Sequence, residues 1–261
     1  MPSLASTPID ERVVTLDGSL NTRDLGGLPL ADGGRTRFGV MLRSDAVVRL
    51  ALLDAERLEQ LGLSTVIDLR GVVERERAAN AFVGRDGVDV HNVEIWQAIH
   101  DAGATPSDPW DLSAHYVAAL DHAAGAFARA TRLLVSAPGA SLFHCTAGKD
   151  RTGLLAALVL EAVGVPRSVV VDDYVLTHDR IDPLRERLLV DAESRGIARE
   201  DFARLLGATP DLLQPALEHL DARYGGARAY LRSAGVEAAT LRRLTERLAG
   251  VGAPDAASRP S

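Results

Sequence analysis

One ten-residue segment combines the residue types that bind and transfer phosphate. Residues 144–153 read HCTAGKDRTG and contain both the only cysteine and the only lysine of the chain. Apolar runs before and after the segment predict a buried strand and a buried helix, which it joins through a tight loop. The amides of such a loop point into its concavity, and the helix N-terminus adds positive potential. The segment therefore predicts a binding site for a tetrahedral anion.

Cys145 is the candidate nucleophile of this loop. The helix N-terminus and neighbouring cations favour its thiolate form at neutral pH. A thiolate there is placed for in-line attack on phosphorus, while the fork of Arg151 and the loop amides hold the equatorial oxygens. Gly148 permits a backbone conformation that a side chain would obstruct, and the Thr152 hydroxyl can donate to the sulfur. A lone cysteine is more often inert core, but glycine, arginine and threonine at these offsets favour catalysis.

Other sites built from similar residues fit the segment less well. Lys149 is followed by Asp150 instead of serine or threonine, and Phe143 stands where a Walker A loop has its first glycine. One cysteine beside one histidine lacks the other ligands of a closed metal site, so no metal or other cofactor is predicted. A sulfur-transfer or redox enzyme acting through Cys145 is a weaker alternative because the chain has no resolving cysteine.

The elements that must position the loop alternate between strand-like and helix-like patterns, which favours an α/β fold. Predicted strands cover residues 12–16, 38–42, 64–69, 88–96 and 140–143. Predicted helices cover 55–61 (capped by Asp54), 72–79, one long helix from Asp111 or Ser113 to near Val135, 152–163, 166–177 and helical hairpins over 184–248. No boundary is sharp, so we predict one domain over residues 12–249 with flexible ends at 1–11 and 250–261.

Composition excludes several classes of protein. The chain has 261 residues, of which 46% are hydrophobic and 25% charged, as in a globular protein. Its net charge of −7 argues against binding to nucleic acid or to an anionic membrane surface. No apolar run is long enough for a membrane span or a signal peptide, so we expect a cytoplasmic protein; export without a cleavable signal remains an alternative.

The motifs of the chain resemble a known family. Cys-x5-Arg-Thr, residues 145–152, is the signature of the cysteine-dependent phosphatases, and the full HCTAGKDRTG string is similar to the bacterial PtpB/LipA-type group of atypical tyrosine and phosphoinositide phosphatases. Further similar motifs follow in the same order: residues 21–27 (NTRDLGG), 42–44 (LRS), 68–70 (DLR) and 230–235 (YLRSAG). The resemblance covers residues 11–249.

The resemblance implies a protein-tyrosine-phosphatase-like fold, in which a short, mainly parallel sheet is flanked by helices and extended by C-terminal helices. It makes Cys145 the nucleophile and Arg151 the phosphate clamp. The substrate-binding residues would then be Thr146, Ala147, Gly148, Lys149 and Thr152. The implied reaction hydrolyses phosphate monoesters through a cysteinyl-phosphate intermediate, with phosphotyrosine on proteins as the leading substrate. Phosphoserine, phosphothreonine and phosphoinositides remain alternatives, and so does a pseudophosphatase that binds phosphorylated partners without turnover.

The roles of the loop pair Lys149 and Asp150 also follow from the resemblance. Lysine at this place is similar to the loops of phosphatases that accept phosphoinositides, where it would lie near an extra phosphate. Asp150 is the first candidate for the general acid or for a substrate-orienting group, ahead of Asp101 and Asp108. The last two lie in a segment suited to a mobile lid, but this chain has Gln97 where its relatives carry an aspartate.

The remaining polar residues are assigned supporting roles. His144 is expected to hydrogen-bond the loop instead of transferring protons. The charged residues Asp24, Arg23, Arg43, Asp68 and Arg70 are expected to form a buried ion-pair network behind it. We interpret the charged residues of 73–77 as a solvated face. Trp96 and Trp110 flank the lid segment and either cover an aromatic substrate or pack in the core.

Overall fold

A five-stranded sheet forms the centre of the computed structural model, which describes residues 9–250. The strands are β1 (Arg23–Asp24), β2 (Met41–Ser44), β3 (Leu63–Asp68), β4 (Asp89–Asn92) and β5 (Ala140–His144). Their order across the sheet is β1-β2-β5-β3-β4. The strand pairs β2–β5, β5–β3 and β3–β4 are parallel, and only β1 is antiparallel to its neighbour. The predicted α/β fold with a short, mainly parallel sheet is confirmed.

The helices fill the connections between strands and the C-terminal third. They are α1 (Ile9–Arg12), α2 (Leu52–Gln60), α3 (Val72–Arg77), α4 (Trp96–Asp101), α5 (Leu112–His122), α6 (Ala124–Ser136), α7 (Asp150–Ala162), α8 (Arg167–Val175), α9 (Thr177–Ser194), α10 (Arg199–Leu205), α11 (Pro210–His219), α12 (Ala227–Ser233) and α13 (Ala238–Ala249). A π-helical turn, Leu220–Tyr224, follows α11. The additional C-terminal helices were predicted as hairpins over 184–248.

Helices cover both faces of the sheet because successive strand residues point to opposite sides. On one face Met41, Ile67 and Phe143 pack in a large apolar core with α5 to α8 and α11 to α13. On the other face Leu42 and Leu142 pack in a smaller core with α2. The central strands β2 and β5 are therefore buried on both sides, as a parallel sheet requires, whereas the edge strand β4 is partly exposed.

The strand register places the loop after β5 at the middle of one sheet edge. His144, the last residue of β5, pairs with Ser44 at the end of β2 and with Asp68 at the end of β3. The carboxyl ends of three parallel strands thus meet beside the 145–149 segment. This edge is where open α/β sheets bind ligands.

Several predicted elements differ from the structure. The predicted strand at 12–16 is wrong: Arg12 ends α1, and Val13 makes only a single bridge to Arg23. The predicted long helix is two helices, because the backbone at the buried Ala123 leaves helical geometry (φ −104°, ψ 20°) and α6 starts again at Ala124. Alanine-rich sequence favours helix throughout, so local propensity gives no sign of this break.

Several element boundaries were also misplaced, among them that of the predicted strand 38–42, which is observed as Met41–Ser44. The predicted strand 88–96 ends at Asn92, and Trp96 begins α4 instead. Asp54 is not the residue that precedes α2 but lies within its first turn, where its carboxylate accepts hydrogen bonds from the amides of Ala51, Asp17 and Gly18. The carboxylate therefore fastens a neighbouring loop as well as the helix start.

The interpretation of residues 12–249 as one domain stays a prediction. Of the predicted flexible ends, residues 1–8 and 251–261 lie outside the described residues. No helix between residues 9 and 250 is long and apolar enough to cross a membrane.

Candidate active site

The loop between β5 and α7 has a backbone that depends on glycine at one position. Gly148 has φ of +69°, a region that side chains disfavour. A methyl group at this residue would lie 2.6 Å from the carbonyl oxygen of Ser44 and 2.7 Å from the amide nitrogen of Asp45. The loop therefore presses against the end of β2. Cys145 at its start is buried, with 1% of its surface exposed.

Three neighbours hold the carbonyl groups of this loop. The amide of Ala46 donates to the Thr146 carbonyl at 3.0 Å, and Asn21 Nδ2 donates to the Ala147 carbonyl at 3.0 Å. Arg43 Nη2 donates to the Gly148 carbonyl at 2.8 Å. In a trans peptide the N–H points opposite to the carbonyl, so the next three amides face away from these anchors.

Those three amides, of residues 147, 148 and 149, have no hydrogen-bond partner among residues 9–250. Buried amides in native proteins nearly always have one. Together with the N-terminus of α7, they form a concave group of donors beside Cys145. This is the arrangement predicted for binding a tetrahedral anion.

Arg151 lies in the first turn of α7 and is held in place by Glu74. Its Nη1 and Nη2 donate to the two carboxylate oxygens at 2.6 and 2.8 Å, and Trp96 packs over the guanidinium with its ring centre 5.8 Å away. Burial opposes the charge on Arg151, but its hydrogen bonds to Glu74 and the negative charges of Cys145, Glu74 and Asp150 outweigh this effect and raise the pKa of Arg151. Arg151 Nε is buried and has no partner among the described residues.

Glu74 was interpreted as part of a solvated helix face, and this interpretation is wrong. Its carboxylate also accepts hydrogen bonds from the amide of Gly71 at 2.9 Å and from the Thr146 hydroxyl. Burial raises the pKa of Glu74, yet the contacts with Arg151 dominate and lower it to about 2. Glu74 stands three residues after Gly71, a spacing that indicates only the start of a helix. The sequence gives no sign that Arg151 is the partner of Glu74.

Asp150 precedes Arg151 and lies at the end of a row of buried hydroxyl groups. The Tyr116 hydroxyl donates to Asp150 Oδ1, and the Tyr174 hydroxyl lies 2.8 Å from the Tyr116 hydroxyl. Burial and the charge of Asp150 raise the pKa of both tyrosines, so both stay protonated. The tyrosine row was not found from sequence, because the three residues lie on three different helices.

Lys149 turns into the protein. Its ammonium donates to the carbonyl oxygen of Leu205 and, at 3.0 Å, to that of Gly207, and it lies 3.2 Å from Asp150 Oδ1. The side chain is 2% exposed. These contacts join the loop to the connection between α10 and α11, whereas the predicted contact with an extra substrate phosphate stays a prediction.

His144 hydrogen-bonds the loop from below, as predicted. Its Nε2 lies 2.8 Å from Asn80 Nδ2 and its Nδ1 lies 3.0 Å from the carbonyl oxygen of Cys145. Burial lowers the pKa of His144, so the ring is neutral at pH 7. A neutral ring has one donor and one acceptor nitrogen, so Nε2 accepts from the amide and Nδ1 donates to the carbonyl.

The predicted ion-pair network exists in part, with a different carboxylate at its centre. Arg23 and Arg43 both contact Asp173 of α8, at 3.1 and 2.6 Å, and Arg12 contacts it too. Asp24 instead accepts from the amides of Gly26 and Gly39, each at 2.7 Å.

The second part of the predicted network forms a separate pair. Asp68 pairs with Arg70 through two hydrogen bonds of 2.9 and 2.6 Å. Because Asp68 ends β3, this pair fixes the segment that leads into α3 and to Glu74.

The other candidate acids lie in local turns. Asp101 is two-thirds exposed and accepts from Gln97 Nε2 at 2.6 Å. Asp108 accepts from the amide of Trp110 at 2.8 Å. The Thr152 hydroxyl is buried without a hydrogen-bond partner in the described part of the chain, so the predicted bond to the Cys145 sulfur is not made here.

The site thus combines a buried cysteine, three loop amides without hydrogen-bond partners among residues 9–250, and an arginine held in place by a carboxylate. A cysteine-dependent phosphatase needs this combination. Sequence comparison agrees: the model of the tyrosine phosphatase family matches residues 14–250. The triple specificity protein phosphatase PtpB of Mycobacterium tuberculosis is 31% identical over 90% of this chain and 98% of its own. A tyrosine-protein phosphatase of Nostoc commune is 30% identical over 80% of this chain and 76% of its own. The chain belongs to the tyrosine phosphatase family, and the predicted enzyme class is confirmed.

Proposed function

We propose that this phosphatase hydrolyses phosphate monoesters through a phosphorylated Cys145. The thiolate attacks phosphorus, the phosphorus–oxygen bond to the leaving group breaks, and the leaving oxygen takes up a proton. Water then attacks the thiophosphate, giving inorganic phosphate and the free thiolate. One observation supports this proposal above all: three amides and Arg151 Nε, all at the loop that starts with Cys145, have no partner among residues 9–250.

These unpaired donors match the groups that a transferring phosphoryl group requires. The loop amides of Ala147, Gly148 and Lys149 bind equatorial oxygens, and Arg151 contributes its Nε edge while Glu74 holds the opposite side. Donors fixed before the reaction stabilise the charge of the transition state without reorganising. The unpartnered Thr152 hydroxyl is available to donate to the sulfur as it leaves phosphorus.

Asp150 is our candidate for the group that gives a proton to the leaving oxygen and takes one from the attacking water. It lies within the loop next to Arg151, and a quarter of its side chain is exposed. Asp101 and Asp108 are engaged by their own turns. Asp150 also has partners, Tyr116 and Lys149, but of the three aspartates it is the one that lies beside Arg151. We favour it over both for this position, for this role or for orienting the substrate.

Phosphotyrosine on proteins is the proposed substrate. Trp96 lies against Arg151, which places an aromatic surface beside the clamp for the substrate ring. The Mycobacterium tuberculosis relative is named a triple specificity phosphatase, which keeps phosphoserine, phosphothreonine and phosphoinositides as alternatives. A cytoplasmic location stays a prediction.

The test is phosphate release from phosphotyrosine, phosphoserine and phosphothreonine peptides and from phosphoinositide vesicles. Cys145→Ser should lower turnover by ~10³-fold or more while the protein still binds inorganic phosphate. Retention of near-normal rates by Cys145→Ser would overturn the proposed nucleophile. A wild-type protein that binds phosphopeptides without releasing phosphate would instead be a pseudophosphatase.

The role of Asp150 is tested with aryl phosphates whose leaving groups differ in basicity. Asp150→Asn should slow the ester of a basic leaving group far more than that of an acidic one, because only the first needs a proton. Asp101→Asn is the matched control and should leave both rates unchanged. If Asp101→Asn shows the selective loss, Asp101 is the acid and Asp150 is not.

A further inference from the structure

Behind the catalytic loop lies a buried group of charges that we call the arginine cluster: Arg12, Arg23, Arg43 and Asp173. All four side chains are at most 3% exposed, and all three guanidinium groups contact the one carboxylate. Asp173 is the only carboxylate that contacts them within residues 9–250. Asp24 lies near enough to Arg12 for the two charges to interact, but among residues 9–250 it makes no salt bridge to the three arginines. Positive charge is therefore in excess among the described residues of the cluster.

A buried charge without a partner lowers the stability of the folded protein. Two properties of the cluster show this cost. Burial and the charge of Arg43 lower the pKa of Arg23 to about 9, even though Asp173 acts in the opposite direction. Arg43 Nε is buried without a hydrogen-bond partner among the described residues. A second carboxylate in contact with the arginines would make the folded protein more stable, so the excess positive charge does not serve stability.

The cluster is connected directly to the catalytic loop. Arg43 uses Nη1 on Asp173 at 2.6 Å and Nη2 on the Gly148 carbonyl at 2.8 Å. Asn21 links Arg23 Nη1, at 2.5 Å, to the Ala147 carbonyl at 3.0 Å. Only one peptide group therefore separates Arg43 from the Lys149 amide, and Arg23 reaches the loop through the side chain of Asn21.

We propose that the arginine cluster is the electrostatic support of the active site: its excess positive charge stabilises the Cys145 thiolate and the bound phosphate, and Arg43 positions the Gly148 carbonyl. This inference rests on the proposed role of Cys145 as nucleophile. The negative partner that the cluster lacks is supplied by the ionised sulfur and by substrate. In a poorly solvated interior such charges act over several ångströms.

The other charged and titratable groups near Cys145 are the same in the wild type and in the variants used for the test. Arg151 and Asp150 face it from α7, and Arg151 is in turn held by Glu74 of α3. Tyr174 of α8 and His144 of β5 are both neutral at pH 7, since burial raises the pKa of the tyrosine and lowers that of the histidine. Substitutions of Arg12 and Asp173 change none of these residues.

The test is a titration of Cys145, which is the only cysteine, so thiolate absorbance or alkylation rate against pH reports on this site alone. Arg12→Met removes one positive charge from a residue that does not touch the loop, and it should raise the midpoint of thiolate formation. Asp173→Asn removes the negative charge and should lower the midpoint. Each shift should be on the order of one pH unit or somewhat less. Arg12→Lys keeps the charge and should leave the midpoint unchanged.

Opposite shifts separate electrostatic support from simple loop support. If the cluster only holds the loop in shape, Arg12→Met and Asp173→Asn both loosen it and both raise the midpoint, or neither moves it; either result overturns the inference. If Asp173→Asn does not fold, the comparison of Arg12→Met with Arg12→Lys decides. A wild-type midpoint near that of free cysteine, about 8.5, would contradict the proposed nucleophile itself, independently of the variants.

Discussion

At the scale of residues, one edge of the Arg151 guanidinium contacts a carboxylate of the protein, and the other edge is expected to contact the phosphate. Its terminal nitrogens contact Glu74, whereas Nε is left unpaired within the described chain. A guanidinium held on one edge has little freedom to rotate, so its other edge is preorganised for an oxyanion. Glu74 is thus a positioning residue for the clamp.

Removing this carboxylate should weaken catalysis. Glu74→Ala should lower kcat/KM for an aryl phosphate by about 10- to 100-fold because the clamp is no longer fixed, and Glu74→Gln should have a smaller effect. Glu76→Gln, on the exposed side of the same helix, is the matched control and should not change the rate. Higher activity of Glu74→Ala would mean that Glu74 competes with substrate for Arg151.

At the scale of elements, the site is made where strand ends meet. β2 supplies Arg43 and the backbone against which Gly148 packs, β3 leads to α3 and Glu74, and β5 leads to Cys145. The connection between α10 and α11 joins this assembly through Lys149, whose ammonium is taken up by two carbonyl oxygens. The loop therefore fastens a distant helical segment to the sheet edge.

Loss of that ammonium should release the segment. In Lys149→Met the carbonyl groups of Leu205 and Gly207 lose their donor, at a cost of about 1–3 kcal/mol for buried groups. Hydrogen exchange of amides in residues 205–208 should become faster, and Lys149→Arg should restore part of the protection. Amides of α6, which Lys149 does not touch, provide the internal control. Unchanged exchange at 205–208 would show that Lys149 does not hold this connection.

At the scale of the whole molecule, buried charge makes stability depend on pH. The folded protein lowers the pKa of Glu74 to about 2, and Arg70 and the arginine cluster lower those of Asp68 and Asp173. Burial also lowers the pKa of His144 below its usual 6.5. In each case the unfolded chain takes up its proton at a higher pH than the folded protein does. Acidification therefore favours unfolding.

Chemical denaturation at several pH values tests this dependence. Stability should be greatest above pH 6.5, decline as His144 protonates in the unfolded chain, and fall more steeply below the usual glutamate pKa of 4.5. The difference between wild type and Glu74→Gln should be constant above about pH 5 and should shrink as the pH falls from 4.5 toward 2. A difference that grows on acidification would contradict the lowered pKa of Glu74.

Features that depend on neighbours along the chain could be predicted before the fold was known. The spacing of Cys145, Gly148 and Arg151 between two apolar runs predicts the loop, its position between strand and helix, and its affinity for an anion. The alternation of strand and helix patterns predicts the α/β fold, and the resemblance of the motifs adds that the sheet is mainly parallel. These features follow from local conformation and burial, which the order of residues controls directly.

The distant residues that complete the site became known from the folded arrangement of the chain. Glu74 is 77 residues from Arg151, and Asp173 is 130 residues from Arg43. Both lie on helices whose sequences are equally compatible with a solvated face or a packed helix. The direction of Lys149 likewise depends on where α10 ends in space. An ion pair forms between whichever charged groups the packing of elements brings together, and that packing is a property of the whole fold.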